Sequence, residues 1–294
     1  MSTSPNQRNN EQPSTYVVQN RESQSEFTRL MLQDHLLTTS MGGVLAEVAD
    51  PTRYQRILDI ACGPGAWCVE VAQTYPNTSV VGVDISRRMI AHARTHAETQ
   101  QVSQRVEFHI MDALSMLEFP DASFDLVNMR LGGSFLRTWD WPKLLSEMLR
   151  IARPAGLIRI TDQEIMHQNN SPAGTRINEM VMCAFYRAGH LFANETTGIT
   201  AHLPALLTQH GCTQVQSRLY ALHYQAGTPE GQMYSEDMAK ASQTLRPFLQ
   251  KWGCISDAYD DLYQASLQER QQPDFHSTWN FLCVWGTRPS SLSS

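Results

Sequence analysis

Two carboxylates and the glycine turn between them are the residues of this chain best placed to do chemistry. Arg56 to Ile60 is a short apolar run carrying Asp59, and the small-residue turn Ala61-Cys62-Gly63-Pro64-Gly65 follows it. One helix later a second run, Ser79 to Asp84, ends in another acid. Parallel strands that deliver acids beside a glycine turn form a nucleoside-binding crevice at the C-terminal edge of their sheet. The glycines let the backbone approach a ligand where a Cβ would block it or forbid the required φ. Asp84, at a strand end, is placed to accept both hydroxyls of a ribose. Asp59, at the base of the turn, is placed to orient the turn amides and an ammonium group of the ligand.

A dinucleotide site needs G-x-G-x-x-G, so that a pyrophosphate meets the next helix N-terminus. Here Ala66, Trp67 and Cys68 follow Gly65, so the third glycine is absent and Trp67 fills its room. The pattern instead resembles the acid-x-G-x-G-x-G motif of the class I S-adenosylmethionine (SAM) methyltransferases, with Ala61 in place of the first glycine. The resemblance covers Tyr54 to Thr161 strongly and the last two strands loosely. It implies SAM as cofactor, S-adenosylhomocysteine as product, and an α/β fold. That fold is a Rossmann-like seven-stranded mixed sheet, its last strand antiparallel beside the fifth, with helices on both faces and an added helical lid. It assigns the cofactor to Asp59, Ala61, Gly63, Gly65 and Asp84, and to Asp112 and the Ala113 amide at the adenine edge. Ile85 and Met89 either pack on the adenine faces or join the core. Asn128 and Arg130, at the end of the fourth strand, face the methionine moiety. Tyr16 and Arg29 belong to an N-terminal cap of the kind such enzymes close over the cofactor's carboxylate or sulfonium.

The fourth strand runs on as Asn128-Met129-Arg130-Leu131, without the N-P-P-Y type motif common in methylation of nucleobase amines. The resemblance is therefore to the small-molecule, quinone and sterol-type branch. The expected reaction is in-line SN2 transfer of the methyl group to a C, O or N atom of a small organic, secondary-metabolite substrate. Cyclisation or rearrangement in the lid chamber by a SAM-binding enzyme of the same fold is the alternative. Should the acceptor have to lose a proton, His167, Asp162 and Glu164, just after the fifth strand, are the candidate catalytic groups. His167 is preferred because a free imidazole titrates near neutrality. A nicotinamide oxidoreductase is disfavoured, since neither Tyr259 nor Tyr263 has a lysine four residues on. A non-enzymatic scaffold is disfavoured by the intact turn and both acids.

Composition narrows the partners. The chain has 294 residues and 41% hydrophobic content, enough for a full core. A formal charge of −6 with no basic run argues against a nucleic-acid partner. No apolar stretch approaches a membrane span. The expected partner is a small-molecule substrate, with homo-oligomer formation left open. Six scattered cysteines without a C-x-x-C pair read as reduced thiols of a cytoplasmic protein. His92 and His96 share a helix face but lack a third ligand, so no metal is expected.

The organisation expected is a disordered tail (1–14), a helical cap (15–50), the SAM-binding core (51–165), and lid and linking helices (166–212). Two C-terminal strands of the core sheet (213–225 and 274–288) flank a helical insertion (226–273). Ser23 with Glu26 fits a capping box opening a helix to Thr38. A helical turn is expected over Val44 to Ala49, a fifth strand over Leu157 to Thr161, and a long helix over Ala173 to Phe192.

Overall fold

The computed structural model describes residues 16–18 and 23–290; the tail expected over 1–14 lies outside them. The chain alternates strand and helix from β1 (Arg56–Ile60) through α2 (Ala66–Thr74), β2 (Ser79–Asp84), α3 (Arg87–Thr99) and β3 (Val106–Ile110). β4 (Phe124–Arg130), α4 (Trp141–Ile151) and β5 (Ala152–Gln163) complete the parallel part. After α5 (Pro172–Arg187) and α6 (Leu203–Gln209), β7 (Thr213–Gln225) and β8 (His276–Thr287) close the sheet, with α7 (Pro229–Lys251) and α8 (Tyr259–Glu269) between them. The strand order is β3-β2-β1-β4-β5-β8, with β7 outside β8. β8 runs antiparallel to both β5 and β7, and a two-residue strand, β6 (Gln168–Asn169), continues the β5 edge along it. This is the expected mixed sheet with one added strand fragment.

Both faces of the parallel part are covered, which is why its strands read as nearly unbroken apolar runs. Side chains alternate between faces. Leu58, Ile60, Val127, Met129, Ile158 and Ile160 pack under α4 and α6, against Trp141, Leu145, Met148 and Leu207. Ile57, Val80, Leu126 and Leu157 point the other way, toward Trp67 and Val71 of α2 and Ile90 and Ala93 of α3. Asp59 shares that second parity, so its carboxylate lies on the α2 side.

The cap helix, α1 (Gln24–Ser40), begins where Ser23 accepts a hydrogen bond from the Glu26 amide. It packs on α7. Three expectations are corrected. The expected helical turn over 44–49 is a hydrogen-bonded turn followed by a 3-10 turn at Pro51–Arg53, opened by the Asp50 side chain. β5 begins at Ala152, earlier than the expected Leu157, across an irregularity in its pairing with β4. α5 ends at Arg187 and not Phe192, because Gly189 (φ 84°) forms a left-handed terminator. The amides of Gly189 and His190 turn back to Tyr186 and Phe185, the Schellman pattern.

The cysteine reading is also corrected. Cys183 on α5 and Cys254 after α7 form a disulfide across 71 residues, whereas Cys62, Cys68, Cys212 and Cys283 are free. Docking of the lid helices brings the pair together, and no local spacing announces it. Among the described residues no helix is long and apolar enough to cross a membrane.

Candidate active site

A cavity of about 300 Å³ opens at the C-terminal ends of β1, β2 and β4 and is roofed by α1, α5 and α7. Its floor is the turn after β1. Ala61 (φ 56°), Gly63 (φ 53°) and Gly65 (φ 76°) all adopt left-handed backbone, which curls the chain back under α2. The Gly63 amide donates to Asp84 Oδ2 at 3.0 Å, and the Ser86 amide to Oδ1 at 2.8 Å. Asp84 thus ties the turn to the start of α3 while lining the cavity. Asp59, Ala61, Gly63, Ile85, Met89, Asp112, Ala113, Arg130, Tyr16 and Arg29 line it as well. Asp112 is braced by the Leu114 amide at 2.9 Å.

Gly65 and Asn128 lie behind this wall. A Cβ on Gly65 would stand 2.6 Å from the Phe108 ring and 2.8 Å from Ala93, so this glycine serves helix–sheet packing. Asn128 is fully buried and stands beside Asp59 in the register of β1 and β4, with Arg159 beside it on β5. Its Nδ2 donates to Asp59 at 2.7 Å, and its Oδ1 accepts from Arg159 at 2.7 Å. Arg159 in turn pairs with Glu47, both about 1% exposed. This row positions Asp59 from below. Burial pushes the Asp59 carboxyl up to about 7, against the pull of Asn128, Cys68 and Arg159. Burial also acts upward on Glu47, but the charge and hydrogen bond of Arg159 outweigh it and hold Glu47 low.

The roof is a second polar assembly. Arg29 grips Glu26 through Nε (2.9 Å) and Nη2 (2.7 Å) and reaches Asp237 of α7 through Nη1 at 3.3 Å. The Tyr16 hydroxyl donates to the same Glu26 at 2.7 Å, and Gln33 donates to Asp237 at 3.3 Å. The Val17 amide donates to the Ser134 carbonyl after β4, which holds residues 16–18 over the cavity. Arg130 pairs with Asp34 of α1. Arg29, expected to meet a cofactor carboxylate, and Arg130, expected to face the methionine moiety, are therefore both already ion-paired.

The three candidate catalytic groups diverge: Asp162, expected after the fifth strand, lies within β5, which runs on to Gln163, and Glu164 and His167 follow it. His167 lines the cavity, its ring tilted by 33° against Trp279 (ring centroids 4.5 Å apart), with Nδ1 2.9 Å from the Tyr234 hydroxyl. Burial lowers its imidazole to about 3. Asp162 is buried outside the cavity lining and accepts from the Gly133 amide at 2.7 Å and the Gln163 amide at 2.9 Å, tying the loop after β4. Glu164 accepts from Asn280 on β8 at 2.9 Å. Strand alternation instead turns Gln163 and Ile165 inward. The roof also supplies polar groups that sequence reasoning missed: Gln33 and Asp34 of α1, Asn178 of α5, and Ser242 of α7. Their signal was a polar residue inside an otherwise apolar helix face, as with Gln33 between Leu30 and Leu37.

The donor set fits a cationic nucleoside such as SAM. Four carboxylates (Asp34, Asp59, Asp84, Asp112) line the cavity, and both arginines there are ion-paired. Ile85 and Met89 provide apolar walls beside Asp84.

The comparisons agree. Residues 57–156 match the family model described as a methyltransferase domain. The chain is 37% identical over 102 residues to demethylmenaquinone methyltransferase of Deinococcus radiodurans, covering 35% of this chain and 40% of that protein. It is 25% identical over 253 residues to 27-O-demethylrifamycin SV methyltransferase of Amycolatopsis mediterranei, covering 86% and 80%. In structure it is similar to Haemonchus contortus phosphoethanolamine N-methyltransferase 2 in complex with SAM, with TM-score 0.56 and 20% identity over 95% of this chain and 60% of that one. The chain spans less than half the length of the first curated relatives it matches. Residues 57–156 thus match a methyltransferase domain, and the sheet order and site around them resemble those of the class I SAM-dependent methyltransferases.

Proposed function

We propose that this protein transfers the methyl group of SAM to a small, largely apolar organic acceptor. The observation that carries the reading is the joining of Asp84, the glycine turn and Asp59 at one end of a cavity whose other end is roofed by apolar helix faces. SAM, when bound, supplies an electrophilic methyl group on a sulfonium. The chain's own work is to bind, orient and exclude water, which contributes at most roughly 7–11 kcal/mol of barrier lowering. Asp84 holds the ribose, Asp112 and Ala113 the adenine edge, and Asp59 the charged end, kept in place by Asn128. Tyr16, Arg29 and Gln33 close the roof.

His167 acts here as a hydrogen-bond donor. Ser277 Oγ donates to the Tyr234 hydroxyl at 2.9 Å, so the Tyr234 proton points to Nδ1 of His167. The neutral ring then carries its proton on Nε2, the nitrogen left for the cavity. Such a ring orients an acceptor oxygen and takes no proton. Gln163, Ile165, Asn178, Val181 and Ser242, which line the same end, include no carboxylate. The acceptor therefore reaches the site already nucleophilic, as an ionised oxygen, an enolate-type carbon or a free amine, and a secondary metabolite of that kind fits the chamber.

Calorimetric titration with SAM, S-adenosylhomocysteine and NAD tests the reading. Micromolar binding of the two sulfur nucleosides, followed by S-adenosylhomocysteine formation in an acceptor screen, is expected. NAD binding without them would overturn it.

A further inference from the structure

We propose that Arg270 forms a carboxylate-binding subsite behind the substrate end of the cavity. Arg270 caps the C-terminus of α8 and is 7% exposed, yet its Nε and Nη2 atoms have no hydrogen-bond partner among the described residues. An arginine that merely capped the helix would bond the carbonyls of the last turn, and this one does not. The charge of Glu269 acts on it from the adjoining position, but no acid among the described residues pairs with it directly. Glu269 is committed to the Ser171 hydroxyl and the Ala173 amide at the start of α5, and Asp237 is held by Arg29 and Gln33. A guanidinium stays charged in a protein, and a buried charge without a counter-ion is costly. Nε and Nη2 form the side of the guanidinium fork that matches two carboxylate oxygens.

The space matches as well. Arg270 lines a separate small cavity of about 20 Å³ whose polar wall includes Asn178, Tyr234 and Ser242. By the same measure a water-sized oxygen needs about 10–15 Å³. The two oxygens of one carboxylate need about 20–30 Å³ and fill this space to its limit, and the four oxygens of a phosphoryl group exceed it. Ile177, Asn178, Met238 and Ser242 are shared with the main cavity. The unbranched Met238 is the movable part of that partition. The carboxylate has two sources: it is carried by the methyl acceptor, whose body lies in the main cavity, or it is a free small acid. The first source rests on the proposed methyl transfer and the second does not.

The test uses the full chain without nucleoside. Arginine Nε–H resonances are followed by NMR during titration with sodium formate, against sodium chloride at matched ionic strength. A saturable shift of one resonance that is missing from Arg270→Met is expected. If no arginine resonance responds to formate beyond chloride, the subsite is overturned, and this wild-type result stands even where the variant fails to fold. The source is read by calorimetry with 3-phenylpropionate and its methyl ester. An acid at least tenfold tighter than formate, with the ester at least tenfold weaker than the acid, assigns the carboxylate to the acceptor. An acid no tighter than formate assigns a free carboxylate. Ester and acid binding alike, with Arg270→Gln leaving both unchanged, overturns the proposal. Failure of SAM to bind would sink methyl transfer, and with it the methyl acceptor as the source, and leave the formate reading of the subsite intact.

Discussion

The two ends of the cavity are built on different principles. At the strand-end side every polar group hangs on a parallel strand or the turn beside it, and neighbours in register are neighbours in space: Asp59, Asn128 and Arg159 form one row across three strands. At the roof the groups come from residues 16 to 279 of the chain, and their alignment depends on the docking of α1, α5 and α7. The first half is a rigid frame. The second is an assembly held by one buried charge network and one disulfide. Functional closure and opening belong with the second, because low-stability elements are those joined by few long-range contacts.

The sharpest way to break this comparison is at Glu26. It is fully buried, and although burial acts upward on its carboxyl, the hydrogen bonds and charge of Arg29 hold it ionised. Glu26→Ala removes the main partner of a buried arginine, a change that costs about 3–5 kcal/mol. Hydrogen exchange should rise in α1 and α7 while β1, β2 and β4 keep their protection. Equal loss in sheet and roof would show that the two halves are one cooperative unit.

The converse experiment is Asp84→Ala, which acts on the frame. Two charge-assisted hydrogen bonds to a ribose are worth about 3 kcal/mol or more, so SAM affinity should fall more than roughly 100-fold. Calorimetry of the variant alongside Glu26→Ala separates the roles. Asp84→Ala also frees the Gly63 and Ser86 amides, so it costs about 1–3 kcal/mol of stability. Its loss of affinity persists under conditions where the variant is fully folded, whereas the affinity loss of Glu26→Ala tracks the opening of the roof.

The legibility of the sequence follows the same division. The frame was readable because its chemistry is local. Asp59, the turn and Asp84 lie within a few tens of residues, and strand alternation tells which side chains share a face. Asn128 was legible as a position and not as a role: its placement beneath Asp59 depends on register with β1, which the sequence does not display. The roof was opaque for a physical reason. Helical periodicity shows that Ile177, Val181 and Phe185 share a face, and it does not say what that face covers. Hence Asn178 and Ser242 were missed, the Cys183–Cys254 bond was read as two thiols, and Arg270 drew no notice. His167 was found because it follows β5, but its environment, not its residue type, decides its protonation.

That environment gives a pH signature. The unfolded chain binds a proton at His167 near pH 6.5, whereas the folded ring resists it until about 3. Between those values the unfolded state holds more protons, so stability rises with pH there. The contribution is fully present above pH 6.5 and is lost as pH falls toward 3. His167→Gln removes this dependence. The stability difference between the two proteins should change by roughly 2–3 kcal/mol, against the wild type, from pH 7.5 to 4.5. Denaturant titration at both pH values measures it, and a constant difference would mean that the ring is not held neutral by burial. Methyl-transfer rate, by contrast, should show no inflection from His167 between pH 6 and 8 and should follow the ionisation of the acceptor.

The smallest effect tests the frame at Ala61. Ala61 stands where the motif it resembles carries glycine, and it keeps the left-handed backbone that position demands. A left-handed L-residue costs roughly 1–2 kcal/mol, and a glycine gives back about 0.4–1 kcal/mol through the freedom of its unfolded chain. Ala61→Gly should therefore stabilise the fold by between about 0 and 1.6 kcal/mol, a rise of at most about 3 °C in Tm. SAM affinity should stay within about twofold, because the turn already has the shape that the glycine would permit. A large gain in affinity would show instead that the Ala61 methyl group obstructs the floor of the cavity, and that the frame is less finished than the roof above it.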